Sequence, residues 1–460
     1  MLHREAEKTK DQTKEDVLRT IRDKNIEFVF FQYTELYGKP CAKLVPARAV
    51  SEIWEDGAGA AGFAAGEVGQ GPHDPDILAF PDARSFVQLP WQPEVGLLNC
   101  DLYVEGEPWP YCPRGILARV VEKARSKGYI FNVGPEPEFV LLEPGADLES
   151  PQRADPFDNL PRPCYDVKGI TRQYDFIREF SHALNALGWG NYALDHEDAN
   201  GQFEGNIEFA DAMTTADRLV VYKYMVETLA RKHGTMATFM PKPFEDQTGN
   251  GLHFSFSLWD LNNEKNLFAS ADDPRGLGLS ELAYNFMGGL IEHGPAYIAV
   301  TAPTVNSYKR LRRGTASRRT WVPIYVTYGG NNRTQMLRCT GGKIEDRTPD
   351  FSGNPYLGMA AVLACGLDGV ERRLDPGEMN TDNLYEVPEE EIDRRGIKRL
   401  PGNLLDAIRN LEKNTVLREA LGKARGEDYI DYYCRVKREE WDNYHSSISA
   451  WELRNQLLFP

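Results

Sequence analysis

Alternating apolar and polar residues dominate the first quarter of the chain and predict short strands. Two such runs lie within residues 27–47, on either side of a Gly38-Lys39 turn, and shorter ones follow at 74–82, 85–91 and 95–106. An amphipathic helix is predicted at residues 15–24, and the polar residues 1–14 are expected to be disordered or frayed. Residues 57–72 are rich in glycine and alanine, which indicates a mobile loop or a close backbone approach. Residues 15–108 are therefore expected to form a small β-rich domain.

Longer helical periodicities alternate with strands after Pro108, Pro110 and Pro113, which mark a predicted domain boundary. Helices are predicted at residues 114–126, 171–187, 215–232, 280–293 and 355–371, followed by a mostly helical tail at 404–458. Strands are predicted at residues 130–142, 190–209 and 253–259. The order of elements predicts an α+β fold, with a mainly antiparallel sheet in a large domain over residues 112–460.

Charge and composition narrow the classes of function. The chain has 53 basic and 69 acidic side chains, and a net charge of −16 argues against a nucleic-acid-binding protein. Seven cysteines without a CxxC motif do not suggest a disulfide framework or a zinc ribbon. We find no signal peptide and no run of ~18 apolar residues, so we expect a cytoplasmic protein that does not enter a membrane. A phosphate-binding loop of the GxxxxGK[ST] type is absent, as is a convincing GxGxxG motif.

The segment GPEPEF, residues 134–139, places two glutamates two positions apart in a predicted strand. Side chains at this spacing share one face of a sheet, so the carboxylates of Glu136 and Glu138 would repel unless a cation lies between them. Carboxylate oxygens suit Mg²⁺ or Mn²⁺. A solvated edge strand is the alternative.

A second acidic segment, residues 194–209, contains an Asn200-Gly201 turn between two strands. Glu197 and Glu204 are predicted to face each other across this hairpin, although a surface turn with solvated acids is the alternative. In the strand that follows, His253, Ser255, Ser257 and Trp259 alternate with apolar residues. That polar row is expected to face a cleft, whereas an isolated histidine more often packs in a core.

Cationic residues cluster after position 306 and would supply the positive charge that anionic substrates require. Arg338 and Arg347 lie in strand-like contexts, which suits a guanidinium aimed at a carboxylate or phosphate, whereas most charge runs are solvated surfaces. The tract comprises Lys309, Arg310, Arg312, Arg313, Arg333, Arg338, Lys343 and Arg347, together with the acid Glu345.

The order of these motifs resembles the glutamine synthetase superfamily over about residues 20–455. The motifs that carry the resemblance are GPEPEF, DHEDANGQFE, TFMPKPF followed by GNGLHFSFSLW, APTVNSYKRL, NNRTQMLR, KIEDRTPD and LDPGEMNTDNLYEVP. The chain is most similar to the type III-like (GlnT-like) branch, which includes γ-glutamylmethylamide synthetases and ligases acting on alkylamines or aniline.

The resemblance implies an ATP-dependent ligase that joins the γ-carboxylate of L-glutamate to an amine through γ-glutamyl phosphate. It implies a β-grasp domain before the catalytic domain, and hexameric rings, often stacked as dodecamers, with each active site shared between subunits. Two or more Mg²⁺ or Mn²⁺ ions are implied per site: one would be held by Glu138, Glu197 and Glu204, the other by Glu136, His253 and Glu345.

Further roles follow from the resemblance. Arg310 and Arg347 would bind the glutamate carboxylate or the transferred phosphoryl group, with Gly249 lining the glutamate pocket. Arg333 would face the phosphates, and Arg310, Arg333 and Arg347 would be the catalytic arginines. The implied ATP contacts are Ser255, Ser257, Trp259, Arg333, Arg338 and Lys343, where Ser255 replaces a second histidine of type I enzymes.

Two acids of the type I ammonium site are missing. The small-domain stretch reads GFAAGEVGQG, residues 62–71, and the flap reads RRGTASRRTW, residues 312–321, without an acid. Glu67 or Asp74 are the candidate substitutes. Ammonium and alkylamines are protonated at neutral pH, whereas an aromatic amine is neutral, so the shortage of acids favours an organic primary amine as acceptor. Tyr385 matches a tyrosine that is adenylylated in some type I enzymes but is expected to be an ordinary exposed residue.

Three alternatives stay open at this point: a glutamine synthetase that uses ammonia, an inactive structural or regulatory relative, and a phosphotransferase of the guanidino-kinase type. Because all six implied metal positions carry usable ligands, we favour an enzyme over an inactive relative.

Overall fold

A computed structural model gives the fold and describes residues 12–145, 149–312 and 321–458. Residues 1–11 of the predicted frayed N-terminus lie outside the described residues. So do residues 313–320, which include Arg313 and most of the segment 312–321.

The first sheet is built from residues 28–108 and has the strand order β2-β1-β6-β4-β3, with β5 and β7 also paired to β6. β1 and β2 form the predicted antiparallel hairpin across the Gly38-Lys39 turn, while β1 and β6 are parallel. The strands are β1 (Phe28–Thr34), β2 (Pro40–Pro46), β3 (Ala58–Ala60), β4 (Ile77–Pro81), β5 (Val87–Gln88), β6 (Val95–Val104) and β7 (Glu107–Pro108).

The second sheet has the order β14-β15-β16-β13-β8-β10-β9, with β11 and β12 also paired to β8. Its strand pairs are antiparallel apart from β14 and β15, so the predicted α+β fold with a mainly antiparallel sheet is confirmed. The strands are β8 (Ile130–Leu142), β9 (Ala193–His196), β10 (Gln202–Asn206), β11 (Ala210–Asp211), β12 (Met236–Thr238), β13 (Leu252–Trp259), β14 (Tyr328–Gly329), β15 (Leu337–Thr340) and β16 (Lys343–Asp346), with a separate pair β17 (Lys423–Ala424) and β18 (Glu427–Asp428).

Within the described residues, fifteen α-helices accompany these sheets, with short 3₁₀ turns at Ala47–Ala49 and Ala83–Ser85. They are α1 (Lys14–Asp23), α2 (Val50–Asp56), α3 (Gly62–Ala65), α4 (Pro113–Ser126), α5 (Val167–Arg172), α6 (Tyr174–Ala186), α7 (Ala212–Lys232), α8 (Glu281–Thr301), α9 (Ser307–Arg310), α10 (Pro355–Arg372), α11 (Glu389–Arg394), α12 (Leu404–Glu412), α13 (Thr415–Leu421), α14 (Tyr429–Ser446) and α15 (Ala450–Gln456). None of them is long and apolar enough to span a membrane, within the described ranges.

Two predicted helices differ from the structure. The helix predicted at residues 171–187 is a pair, α5 and α6, that meets at Gln173. The helix predicted at residues 280–293 continues to Thr301, past Pro295. Proline normally ends a helix because it lacks an N–H donor, but here both sides of α8 are buried, and that packing outweighs the missing hydrogen bond.

The core forms where α8 crosses α10 over the apolar face of the second sheet. A Cβ atom on Gly289 would lie 2.0 Å from the Cys365 carbonyl oxygen, so only glycine allows the two helices to approach this closely. Buried apolar residues of both sheets belong to one continuous core. The domain boundary between residues 108 and 112 stays a prediction.

A buried ion network also joins the two sheets. Arg114 on α4 is 4 % exposed and contacts Asp82 at 2.8 Å, Asp101 at 2.9 Å and Asp217 at 3.0 Å. Asp82 and Asp101 belong to the first sheet region, and Asp217 lies on α7. Removing the arginine would leave three carboxylates close together in a poorly solvated place.

Candidate active site

Polar side chains of four neighbouring strands meet on one face of the second sheet. Glu138 on β8 lies opposite Glu204 on β10, and Glu136 lies opposite His253 on β13. Glu345 on β16 lies opposite a serine of β13. Because alternate residues of a strand share a face, the cross-strand register gathers these side chains on one surface. The apolar residues of β13 fill the opposite face, as predicted from their alternation.

The acidic hairpin differs in register from the prediction. Glu204 pairs with Asp195, not with Glu197. Glu197 lies just beyond the end of β9, where its N–H donates to the Gln202 carbonyl oxygen at 2.9 Å. Glu197 is two residues from Asp195 along the strand, so it is a diagonal neighbour of Glu204 on the same face.

Glu136, His253 and Glu345 offer ligand atoms that all lie within 4.8 Å of one another. The Nδ1 atom of His253 is 3.5 Å from a Glu136 carboxylate oxygen and 4.0 Å from one of Glu345. Burial, followed by the positive charge of Arg347, holds the pKa of His253 well below its usual range. The imidazole is therefore neutral near pH 7, and a nitrogen lone pair is available to a metal.

The carboxylate oxygens of Glu138, Glu197 and Glu204 are more widely spaced. Within the described residues, the ligand atoms of Glu136, His253 and Glu345 are the only set that lies within 4.8 Å of one another. Burial raises the pKa of Glu138 to about 7 and that of Glu197 to about 8, and the negative charge of Glu138 adds to the effect on Glu197. The pKa of Glu204 is raised well above its usual range, first by burial and then by the charges of Glu136 and Glu197.

These observations test whether the donor set fits divalent cations. Buried carboxylates that raise one another's pKa are poorly stabilised by the protein alone. Oxygen donors with one neutral imidazole are ligands that Mg²⁺ and Mn²⁺ accept. The residues therefore fit the ions that the resemblance implies.

Buried arginines line the adjacent side. Arg347 donates from Nη1 to Glu345 at 2.7 Å and from Nη2 to the Trp321 carbonyl oxygen at 2.9 Å, and Arg338 also pairs with Glu345. Arg310 donates to the Thr348 and Pro349 carbonyl oxygens. The Nε–H groups of Arg310 and Arg347 are buried without a hydrogen-bond acceptor among the described residues. An unsatisfied buried donor is costly, so these two groups suit an anionic ligand.

Gly249 lies directly beside Arg310. A Cβ atom there would be 2.2 Å from the Pro241 carbonyl oxygen and 2.9 Å from Arg310 Cγ. The Gly249 carbonyl oxygen accepts a hydrogen bond from Gln202 Nε2, which also donates to Glu138 at 2.8 Å. Glycine is therefore required for this backbone to pack between the arginine and the carboxylate cluster.

The far end of β13 presents groups suited to a nucleotide. Lys343 Nζ donates to Ser255 Oγ at 3.1 Å, and Trp259 Nε1 donates to Ser257 Oγ at 2.9 Å. The rings of Trp259 and Phe209 lie 5.7 Å apart at an angle of 34°. Aromatic rings at one end of the strand and a lysine along the same strand face suit a base and its phosphates.

Three candidate site residues, and Tyr385, have surroundings other than those expected. Arg333 is exposed and donates to Asn331 at 3.4 Å, an amide that also accepts from Arg338, so it lies at the exposed edge of the site and not within the buried cluster. Glu67 accepts a hydrogen bond from Tyr432 at 3.0 Å, and Asp74 pairs with Arg425 at 2.7 Å. Both acids thus have partners within the chain. Tyr385 is half-buried, not exposed, and its hydroxyl donates to the Val322 carbonyl oxygen at 2.6 Å.

Three neighbours of the site were not predicted from the sequence. Gln202 binds the Glu138 carboxylate, Phe209 packs against Trp259, and Trp321 binds Arg347 and lies within reach of Asp198. Gln202 and Phe209 lie within the acidic segment 194–209, whose strand alternation was a usable signal. Nothing local in the sequence marks Trp321, because its partners are distant along the chain.

The fold and this polar face define a class of enzyme in which a cluster of acidic side chains lies beside buried arginines. Residues 110–456 match the family model described as glutamine synthetase, catalytic domain. The chain belongs to the glutamine synthetase family.

Similar proteins cover nearly the whole chain. A glutamate–methylamine ligase of Methyloversatilis universalis is 42 % identical over 95 % of this chain and 98 % of its own length. A glutamine synthetase of Rhizobium meliloti is also 42 % identical, over 96 % of this chain and 99 % of its own length. A solved structure described as a GmaS/ADP complex superposes with a TM-score of 0.89 at 46 % identity, over 96 % and 99 % of the two chains.

Proposed function

We propose that the protein is an ATP-dependent ligase that joins the γ-carboxylate of L-glutamate to an organic primary amine, giving a γ-glutamylamide, ADP and phosphate. The observation that carries the proposal is the buried polar face on which Glu345 faces His253 and accepts a hydrogen bond from Arg347. The relatives include a protein named glutamate–methylamine ligase and a structure described with ADP.

The residues that would bind the two substrates form two groups on the polar face. Lys343, Arg338 and the Trp259–Phe209 pair would hold ATP, since they combine cations with aromatic faces. Arg310, Arg347 and Gly249 would hold glutamate, because two buried guanidinium Nε–H groups lack an acceptor within the described residues and the Gly249 backbone packs directly against Arg310. Arg333 would reach the phosphates from its exposed loop.

We assign two metal sites of Mg²⁺ or Mn²⁺ to this polar face: Glu136, His253 and Glu345 would hold one ion, and Glu138, Glu197 and Glu204 the other. When bound, such ions supply positive charge that offsets repulsion between ATP and the glutamate carboxylate.

The chain's own residues prepare the chemistry. A carboxylate does not react with amines, so its oxygen must first take the γ-phosphoryl group of ATP, with ADP leaving. Arg310 and Arg347 are placed to orient the carboxylate and to stabilise charge on the transferred group. The amine nitrogen then attacks the carbonyl carbon, the C–N bond forms, and phosphate leaves with the electron pair of the C–O bond while the amine loses a proton. Water must be excluded, because it would hydrolyse γ-glutamyl phosphate.

An organic amine is favoured over ammonia by the surroundings of the two candidate acids. Glu67 and Asp74 are both engaged by groups of their own chain, Tyr432 and Arg425. Arg425 already offsets the charge of Asp74, which makes this acid a poor replacement for those of the type I ammonium site. Ammonia remains the second candidate because several similar proteins are named glutamine synthetase.

The assembly and organisation are also proposed. A β-grasp domain at residues 15–108 and a catalytic domain at residues 112–460 would form hexameric rings, often stacked as dodecamers, in the cytoplasm. Each site would be completed by the neighbouring subunit.

The test is glutamate-dependent phosphate release from ATP with Mg²⁺ across ammonium, methylamine, isopropylamine, ethanolamine and aniline. We expect higher kcat/KM for an organic amine than for ammonium, with the γ-glutamylamide identified by mass spectrometry. Preference for ammonium would overturn the acceptor assignment, and no glutamate-dependent phosphate release with any acceptor would overturn the ligase assignment.

A further inference from the structure

Trp321 joins the two sides of the polar face. Its carbonyl oxygen accepts from Arg347 Nη2 at 2.9 Å, and Arg347 in turn binds Glu345. Its side chain lies within reach of the Asp198 carboxylate, beyond the end of β9, and stabilises the charge of that carboxylate. The indole N–H is the only polar group of the side chain, so it is the group that faces the carboxylate. The residue thus links β16 to the acidic hairpin.

The position of Trp321 is fixed by its backbone and not by burial of the ring. Arg347 binds the Trp321 carbonyl oxygen. The carbonyl oxygen of the next residue, Val322, accepts a hydrogen bond from the Tyr385 hydroxyl at 2.6 Å. The tryptophan itself remains 41 % exposed. A large aromatic side chain that its backbone holds beside the polar face, with much of its surface open, is arranged as a contact surface.

The carboxylate beside the ring has spare capacity. Asp198 accepts a hydrogen bond from Thr248 Oγ1 at 3.4 Å, the Trp321 indole lies within reach, and Arg162 is a cation within electrostatic reach. A carboxylate has about four acceptor sites, so an ammonium group can be accommodated as well. An aromatic face next to a carboxylate binds an alkylammonium ion through both its charge and its apolar group.

We propose that Trp321 and Asp198 form the acceptor subsite and that the indole selects an organic primary amine over ammonia. This inference rests on the proposed ligase function. Arg347, assigned to the glutamate carboxylate, touches the Trp321 backbone, so the amine enters next to the carbonyl carbon that it attacks. The alkyl or aryl group lies on the indole, which ammonia cannot use because it has no apolar surface. Asp198 holds the nitrogen of amines that arrive protonated.

The experiment measures kcat/KM for isopropylamine, aniline and ammonium in the full-length enzyme and its Trp321→Leu and Trp321→Phe variants. Both variants keep the backbone carbonyl that Arg347 binds. We expect Trp321→Leu to lower the ratio of isopropylamine to ammonium kcat/KM by about tenfold. Trp321→Phe keeps an aromatic face and should keep most of that ratio. The KM values for ATP and glutamate should change by less than about twofold, because neither substrate contacts the indole.

The Asp198→Asn variant distinguishes the role of the carboxylate from that of the indole. Isopropylamine is a cation at neutral pH and aniline is not, so the variant should lose activity with isopropylamine at least about fivefold more than with aniline. Tyr174→Leu is the matched control, since Tyr174 is an exposed aromatic residue, 56 % accessible, on α6 outside the polar face. Its acceptor ratios should equal those of the wild type.

An unchanged isopropylamine-to-ammonium ratio in Trp321→Leu would overturn the role of the indole, and equal losses for isopropylamine and aniline in Asp198→Asn would overturn that of the carboxylate. If Trp321→Leu does not fold, Trp321→Phe is compared with Asp198→Asn for isopropylamine and aniline. The proposal is overturned if the ratio of amine to ammonium kcat/KM falls equally in these two variants for both amines. These results differ from failure of the proposed function, in which the wild type itself releases no glutamate-dependent phosphate.

Discussion

Substituting Gly249 by alanine tests the closest approach in the proposed glutamate pocket. The new Cβ would lie 2.2 Å from the Pro241 carbonyl oxygen, whereas ordinary contact begins at 3.4 Å, so one group must move by about 1 Å. The Pro241 oxygen accepts the Asn250 N–H at 2.8 Å, and shifting it weakens that bond. On the other side, the Cβ would push against Arg310 Cγ at 2.9 Å.

Two effects contribute to the expected loss of stability. Forcing an extra carbon into a packed site costs ~1–3 kcal/mol, and a weakened buried hydrogen bond costs ~1 kcal/mol, giving a total of ~2–4 kcal/mol. Because a displacement of about 1 Å at a reacting group costs on the order of a hundredfold in rate, we expect kcat/KM for glutamate to fall by a similar factor.

The matched control is Gly402→Ala, since a Cβ there meets no atom within 4 Å. The assay compares the urea midpoint of unfolding and the glutamate kcat/KM of both variants with those of the wild type. If Gly249→Ala matches Gly402→Ala in both quantities, the close approach and its role at the glutamate pocket are refuted.

Three further predictions concern the metal site, the buried ion network and a buried lysine. Glu345→Ala removes a proposed ligand and the partner of two arginines, so phosphate release should fall by more than about a hundredfold, with loss of one of the two proposed Mn²⁺ sites in calorimetry but unchanged size-exclusion behaviour. Arg114→Met leaves Asp217 and Asp101 without their cation, leaves Asp82 with Arg84 alone, and should destabilise the protein by ~3–5 kcal/mol in urea unfolding. Burial lowers the pKa of Lys223 from 10.5 to about 8. Between pH 8 and pH 10.5 this lysine is therefore protonated in the unfolded chain but neutral in the folded protein. The stability of the wild type relative to Lys223→Met should therefore rise from pH 8 to pH 10.5.

Each of these has an outcome that contradicts it. An active Glu345→Ala enzyme, or one that still binds Mn²⁺ like the wild type, would refute the metal assignment. Arg84→Ala is the control for the ion network, because its side chain is 57 % exposed and should contribute less than ~1 kcal/mol. Equal losses for Arg84→Ala and Arg114→Met would refute the network. A stability difference for Lys223→Met that stays flat from pH 8 to pH 10.5 would show that this lysine is not desolvated in the fold.

Most strands and helices could be predicted because their signal is local. The alternation in residues 252–259 placed Phe254 and Phe256 in the core and His253 on the polar face, as the structure has them. Period-two spacing likewise placed Glu136 and Glu138 on one face. The misread elements are those in which distant packing overrides local propensity, such as the continuation of α8 through Pro295.

The sequence by itself determined which chemical groups are present and on which face of its own strand or helix each one lies, because side-chain direction follows from the period of the element. Only the tertiary structure decided which of these groups meet. The register of β10 paired Glu204 with Asp195 and Glu138, and the path of the chain after residue 320 brought Trp321 between Arg347 and Asp198. Contacts between residues far apart in the chain depend on strand pairing and loop closure, and no local pattern of residues encodes these.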